Sequence, residues 1–137
     1  MQKIEIKSAT RVDLAGGTLD LWPLYQFVGC CAKTVNVAID IFTYATLTSS
    51  DKIEWKSWDL GFEKQYKNLD EIMSETEPQV ALFKAIVSYF QPQSGFRLET
   101  KSESTVGGGL GGRSSLTISA LKAFSQFTEK KFASVHQ

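Results

Sequence analysis

The chain has 137 residues, 42% of them hydrophobic and 22% charged, which is one domain's length with enough apolar content for a core. Its 15 basic residues balance 15 acidic ones, and a zero formal net charge gives no support to a nucleic-acid or membrane partner. No apolar run approaches the roughly 18 residues of a membrane span, and the opening MQKIEIKSATR lacks the apolar stretch of a signal peptide.

Cys30 and Cys31 are adjacent, where an ordinary disulfide is strained, and they read as two buried thiols in a reducing compartment. One histidine, His136, and no CxxC leave no zinc site to expect. A cytoplasmic protein fits best.

Residues 3–9 (KIEIKSA) alternate in polarity and predict a strand. TRVDLAGGTLDLWP follows, with a break at Gly16-Gly17 and a turn closed by Pro23. Residues 33–49 are rich in Val, Ile, Thr and aromatics and predict one long strand or two short ones. KIEWKSW and GFEKQYK read as hairpin strands on the rim, with Trp55 and Trp58 half-buried there rather than stacking on a base.

From Pro78 the period becomes helical. Val80, Phe83, Val87 and Phe90 form a stripe, widened by Leu82, Ile86 and Tyr89, and Pro78 suits a first turn. GFRLETKSE predicts another strand. It runs into VGGGLGGRSS, after which Leu116, Ala120, Ala123, Phe124 and Phe127 share a helical face.

A glycine run between a strand and a buried helix is not a spacer, which would join separable units. The first amides of a helix lack intrahelical acceptors and carry partial positive charge, so a bare loop entering a helix suits phosphate. The Gly-Lys-Ser/Thr phosphate loop is excluded because no lysine follows the glycines. A dinucleotide GxGxxG is formally met by Gly107, Gly109 and Gly112, but no acidic residue ends a following strand.

TVGGGLGGRSSL instead resembles the second motif of the GHMP small-molecule kinases, the family of galactokinase, homoserine kinase, mevalonate kinase and phosphomevalonate kinase. SATRVDLAGGTLDLWP resembles their first motif, and GCCAKTVNVAIDIFTYATL resembles the strand pair between the two, with Asn36 at a position that family often fills with asparagine. The Ala-Gly-Gly and Gly-Leu-Gly-Gly forms are most similar to the sugar-kinase branch of heptose 7-phosphate kinases and fucokinases.

The resemblance implies an α+β fold like the second domain of ribosomal protein S5, a mostly antiparallel sheet of four or five strands with helices on one face. Residues 1–137 then correspond to the family's amino-terminal, ATP-binding domain. The implied activity is phosphorylation of a sugar or sugar phosphate with ATP and Mg²⁺, a heptose-phosphate-like acceptor being favoured.

By resemblance, Gly107, Gly108, Gly109, Leu110, Gly111, Gly112, Arg113, Ser114 and Ser115 bind the nucleotide, with Leu110 pointing into the core. Gly16, Gly17 and Asp20 face the acceptor, and Arg11 stabilises the transferring phosphoryl group. For each, a plainer reading stays open: a turn for Gly16, Gly17 and Asp20, a helix cap for Ser114 and Ser115, a solvated surface for Arg11.

Three features depart from the pattern. Thr105 stands where the family has proline, and Arg113 where it has the serine facing Mg²⁺, leaving Ser114 as a poor substitute ligand. The sequence also stops at Gln137, before the positions of the family's catalytic aspartate and carboxyl-terminal domain, so the chain alone is not expected to turn over substrate. The rival readings are a non-catalytic nucleotide or sugar-phosphate binding module and an RNA-binding S5-like domain.

Overall fold

The computed structural model describes residues 2–17, 19, 22–28, 32–105 and 107–132. Five strands make one mixed sheet: β1 (Lys3–Ala15), β2 (Val35–Ser49), β3 (Ile53–Ser57), β4 (Phe62–Tyr66) and β5 (Phe96–Ser102). Their spatial order is β1-β2-β5-β3-β4, and every neighbouring pair is antiparallel except β3 with β5. Among the described residues four α-helices accompany them: α1 (Leu24–Val28), α2 (Leu69–Ser74), α3 (Ala81–Phe90), preceded by a 3-10 turn at Pro78–Val80, and α4 (Gly112–Phe127). The α+β class implied by the motifs is the class observed.

Period-two alternation sends Ala45 and Leu47 of β2, Ile53 and Trp55 of β3, and Phe96 and Leu98 of β5 to one face. There they meet α3 and α4, whose buried residues include Phe83, Val87, Phe90, Ala120, Ala123 and Phe124. Aromatic rings close the contact: Trp55 stacks on Phe83 with centroids 4.9 Å apart, and Phe124 meets Phe96 edge-on at 5.1 Å.

The opposite face carries charges in cross-strand register. Glu99 lies between Thr46 and Lys56, Lys56 is paired with Glu63 at 3.3 Å, and Arg97 reaches Glu54 at 3.3 Å. That face is built for water.

Several local expectations change. The first strand continues past residue 9 to Ala15, because β2 stays long enough to pair with it throughout, with register shifts at Ala9/Thr10 and Asp13/Ala15. Residues 35–49 form one strand. Trp55 is buried rather than half-buried, and Trp58, just past β3, is exposed. Leu82 is exposed, a quarter turn off the centre of the α3 stripe.

Helix α2 had no counterpart in the sequence reading. Asn68 caps it, its side-chain oxygen accepting from the Glu71 amide at 2.9 Å while the Glu71 carboxylate accepts from the Lys67 amide at 2.6 Å. An Asn followed three residues later by Glu is a helix-start signature, so NLDE was a legible signal.

Candidate functional site

Strand β5 delivers the chain to the glycine loop, and the loop delivers it to α4. Gly107, Gly109 and Gly111 all have positive φ (81°, 70° and 66°), a conformation glycine adopts without the steric cost other residues meet. Left-handed residues alternating with others turn successive amides towards a common side, the geometry of an anion-binding concavity. The Gly108 amide closes a turn onto the Thr105 carbonyl at 3.0 Å.

A Cβ built on each glycine separates two roles. At Gly108 it would lie 2.7 Å from the Thr105 hydroxyl, and at Gly112 2.1 Å from the Ser104 hydroxyl, so a side chain at either position would have to displace a small hydroxyl side chain. At Gly107 and Gly109 it would meet nothing within 4 Å. Open space lies over those two positions.

Gly111 is the N-cap of α4 and supplies no side-chain cap. The helix's first bond runs from the Ser115 amide to the Gly111 carbonyl, 2.9 Å, so the amides of Gly112, Arg113 and Ser114 have no carbonyl one turn back to bond. A helix of 16 residues adds its dipole at that end.

The two motifs meet here. The Arg11 amide donates to the Leu110 carbonyl at 3.1 Å, and the Arg11 Cγ lies 3.7 Å from a Cβ built on Gly111. The guanidinium Nε donates to Asp13 Oδ1 at 3.2 Å, with both side chains partly open to solvent. An exposed pair of this kind holds an orientation but adds little stability, about 0.2–1 kcal/mol.

Ser115 fastens the helix to the sheet. Its hydroxyl donates to the Ala9 carbonyl at 2.9 Å and lies 2.9 Å from the Thr43 hydroxyl, which itself lies 3.3 Å from Ser119. The side chain thus faces the β1 bulge, whereas Ser114 and Arg113 are exposed beside the loop. Leu110 is half-buried and outside the core; its carbonyl, not its side chain, holds the loop down, because the left-handed turns on either side keep it at the surface.

Gly16 has φ +74°, and a Cβ there would fall 2.3 Å from the Lys33 carbonyl oxygen, so the crossing of chain segments alone requires glycine. A Cβ at Gly17 would press on the Asp13 side chain at 3.0 Å. Asp20 lies outside the described residues, as do Cys30, Cys31 and His136.

Glu103, which sequence reasoning did not single out, anchors the strand end just before the loop. Its carboxylate accepts the Phe42 amide at 2.8 Å and the Tyr44 hydroxyl at 2.9 Å, and these bonds, the amide's foremost, hold it below the usual carboxylate range. Among the described residues no cluster of three His, Cys, Asp or Glu side chains could hold a metal ion.

No protein-family model matches the chain, and no curated protein matches it. Solved structures do. A D-glycero-D-manno-heptose 1-phosphate kinase from Bacteroides thetaiotaomicron superposes with a TM-score of 0.75 at 24% identity, over 93% of this chain and 42% of that one. The mevalonate kinase of Methanococcus jannaschii gives 0.72 at 23% identity, over 96% and 42%. The Streptococcus pneumoniae phosphomevalonate kinase in complex with phosphomevalonate and AMPPNP gives 0.67 at 17%, over 94% and 38%.

The chain spans about two fifths of the length of these kinases. Over nearly all of its own length it has the fold that GHMP small-molecule kinases share.

Proposed function

We propose that the chain is the nucleotide-binding part of an ATP-dependent kinase that phosphorylates a hydroxyl of a sugar or sugar phosphate, a heptose-phosphate-like acceptor being favoured. The observation that carries this reading is the contact of Arg11 with the glycine loop, its backbone amide on the Leu110 carbonyl and its side-chain root against Gly111, which joins the first motif to the loop at a helix start.

The residues present fit a nucleotide triphosphate. The amides of Gly107 and of residues 109–113 bind the phosphates, that of Gly108 being held by the Thr105 carbonyl, and the open space over Gly107 and Gly109 admits them to hydrogen-bonding distance. Arg11 stabilises negative charge on the transferring oxygens, held in aim by Asp13. The acceptor belongs on the Gly16, Gly17 and Asp20 side. Its hydroxyl oxygen forms the new bond to phosphorus as the bond to the departing diphosphate breaks, and its proton leaves to solvent or to a base outside this chain.

Mg²⁺ fits less well. It would neutralise charge on the phosphates, and Ser114 is the hydroxyl exposed where the family's metal-facing serine stands one position earlier. Arg113 occupies that earlier position and cannot ligate a metal. This favours a second reading, a module that binds nucleotide without turnover.

Alone, the chain is expected to be inactive, with a carboxyl-terminal domain completing the enzyme. We place it in the cytoplasm, since its adjacent cysteines suit a reducing compartment. None of the described helices is long and apolar enough to cross a membrane.

Titrating ATP while following amide chemical shifts tests the nucleotide site. The largest shifts are expected from Gly107 to Arg113. Largest shifts in the hairpin around residues 55–66 would overturn the assignment.

A further inference from the structure

We propose that the outer edge of β1, over residues 3–9, is an interface on which a second copy of this chain pairs its own β1 antiparallel, continuing the sheet across a two-fold axis.

The order β1-β2-β5-β3-β4 leaves two edges, and they differ. Strand β4 has five residues, and its Lys64 is tied to Glu75 and Glu77 beyond α2. Strand β1 has 13 residues, and among the described residues no strand pairs on its outer side. A long unpaired edge is a template for another chain.

Register decides which backbone groups lie free. The Ser49 amide donates to the Gln2 carbonyl at 2.9 Å, so Gln2 turns its carbonyl towards β2. In an antiparallel pair, residues that bond the neighbouring strand alternate with residues that do not. Ile4, Ile6 and Ser8, opposite Leu47, Ala45 and Thr43, therefore bond β2. The amides and carbonyls of Lys3, Glu5 and Lys7 point outward.

The order of charges names the occupant. Lys3, Glu5 and Lys7 are exposed on the open face, while Ile4 and Ile6 are half-buried on the face that carries the core. Glu5 holds Lys3 at 2.7 Å, and Lys7 lies over the Phe42 ring at 3.4 Å. Two copies paired antiparallel about Ile6 set Glu5 of each opposite Lys7 of the other, with Ile6 against Ile6. Residues 5 and 7 both carry outward backbone groups, so one register satisfies the hydrogen bonds and the charges together. Pairing about Glu5 would oppose Glu5 to itself and Lys3 to Lys7. Pairing about Ile4 matches Lys3 with Glu5 but leaves Lys7 without a carboxylate and Ile6 opposite Gln2. The sequence KIEIK thus reads as its own antiparallel partner.

Sedimentation equilibrium on the 137-residue chain tests this. Its mass should rise with concentration towards twice 15.2 kDa and stop there, because a two-fold contact uses up the edge. Glu5→Lys and Lys7→Glu should each weaken the dimer about tenfold or more, since each makes both cross-strand pairs like-charged. Circular dichroism should report both variants folded, the two side chains being exposed. Mixing the two variants in equal amounts should restore the dimer, because each supplies the charge the other lacks.

A mass of 15.2 kDa at every concentration would overturn the proposal, as would a mass that climbs past the dimer. So would single variants that dimerise as tightly as the parent, or a mixture of the two that stays monomeric.

Discussion

At Gly109 two requirements meet, a φ of 70° and empty space where a side chain would grow. Valine there would resist the left-handed backbone, at a cost of about 1–3 kcal/mol, and would fill the cradle. Gly109→Val should therefore abolish ATP binding by calorimetry while circular dichroism still reports a folded domain; unchanged affinity would mean the glycine serves only the chain's path.

Arg113 makes the opposite kind of prediction. A hydroxyl at that position can complete an octahedral Mg²⁺ shell that a guanidinium crowds and repels. Arg113→Ser in the full-length enzyme should raise turnover measured across a Mg²⁺ series. If arginine is instead a phosphate clamp, the same change should cut activity, by as much as about 10³-fold.

Glu103 gives a pH dependence. Its folded value is depressed from 4.5 by the Phe42 amide and then by the Tyr44 hydroxyl. The anchor's contribution to stability is complete above the unfolded value and fades as pH falls through the lower folded one. Thermal midpoints followed from neutral pH into acid should drop less steeply below 4.5 in Glu103→Gln than in the parent chain.

Among the elements, α4 decides the site's geometry. Its first turns are tied to the β1 bulge by the Ser115 hydroxyl, while the Arg11 amide holds the loop carbonyl of Leu110. Removing the hydroxyl leaves the Ala9 carbonyl and Thr43 with one partner fewer at a partly buried seam. Ser115→Ala should cost about 1 kcal/mol in chemical denaturation and should weaken ATP binding, because the helix start is no longer held against β1. Unchanged affinity would confine Ser115 to stability.

The whole molecule is two-sided. One face of the sheet carries the core beneath α3 and α4, and the other carries cross-strand charge. Phe124 is fully buried between Phe90 and Phe96, with ring centroids at 5.8 and 5.1 Å. Phe124→Ala should destabilise the domain by about 3–5 kcal/mol in urea denaturation. A loss under 1 kcal/mol would mean that α4 is not seated on the sheet as described.

Local pattern determined much of this protein from sequence alone. Alternation in KIEIKSA and the valine- and isoleucine-rich run from residue 33 marked strands, and helical spacing marked α3 and α4, because side-chain direction repeats every two or 3.6 residues whatever the rest of the chain does. The glycine run marked the loop between β5 and α4, because glycine takes left-handed backbone there without the steric cost other residues meet. Tertiary structure decided what periodicity does not encode. The Ser115 hydroxyl faces a carbonyl 106 residues away, Arg11 meets a loop a hundred residues on, and β3 lies parallel to β5. Leu82, apolar and in the stripe's margin, ends exposed because the sheet covers only the centre of that face. Such outcomes depend on which segments pair and where their faces end, and the free energy that selects them comes from packing the whole chain at once.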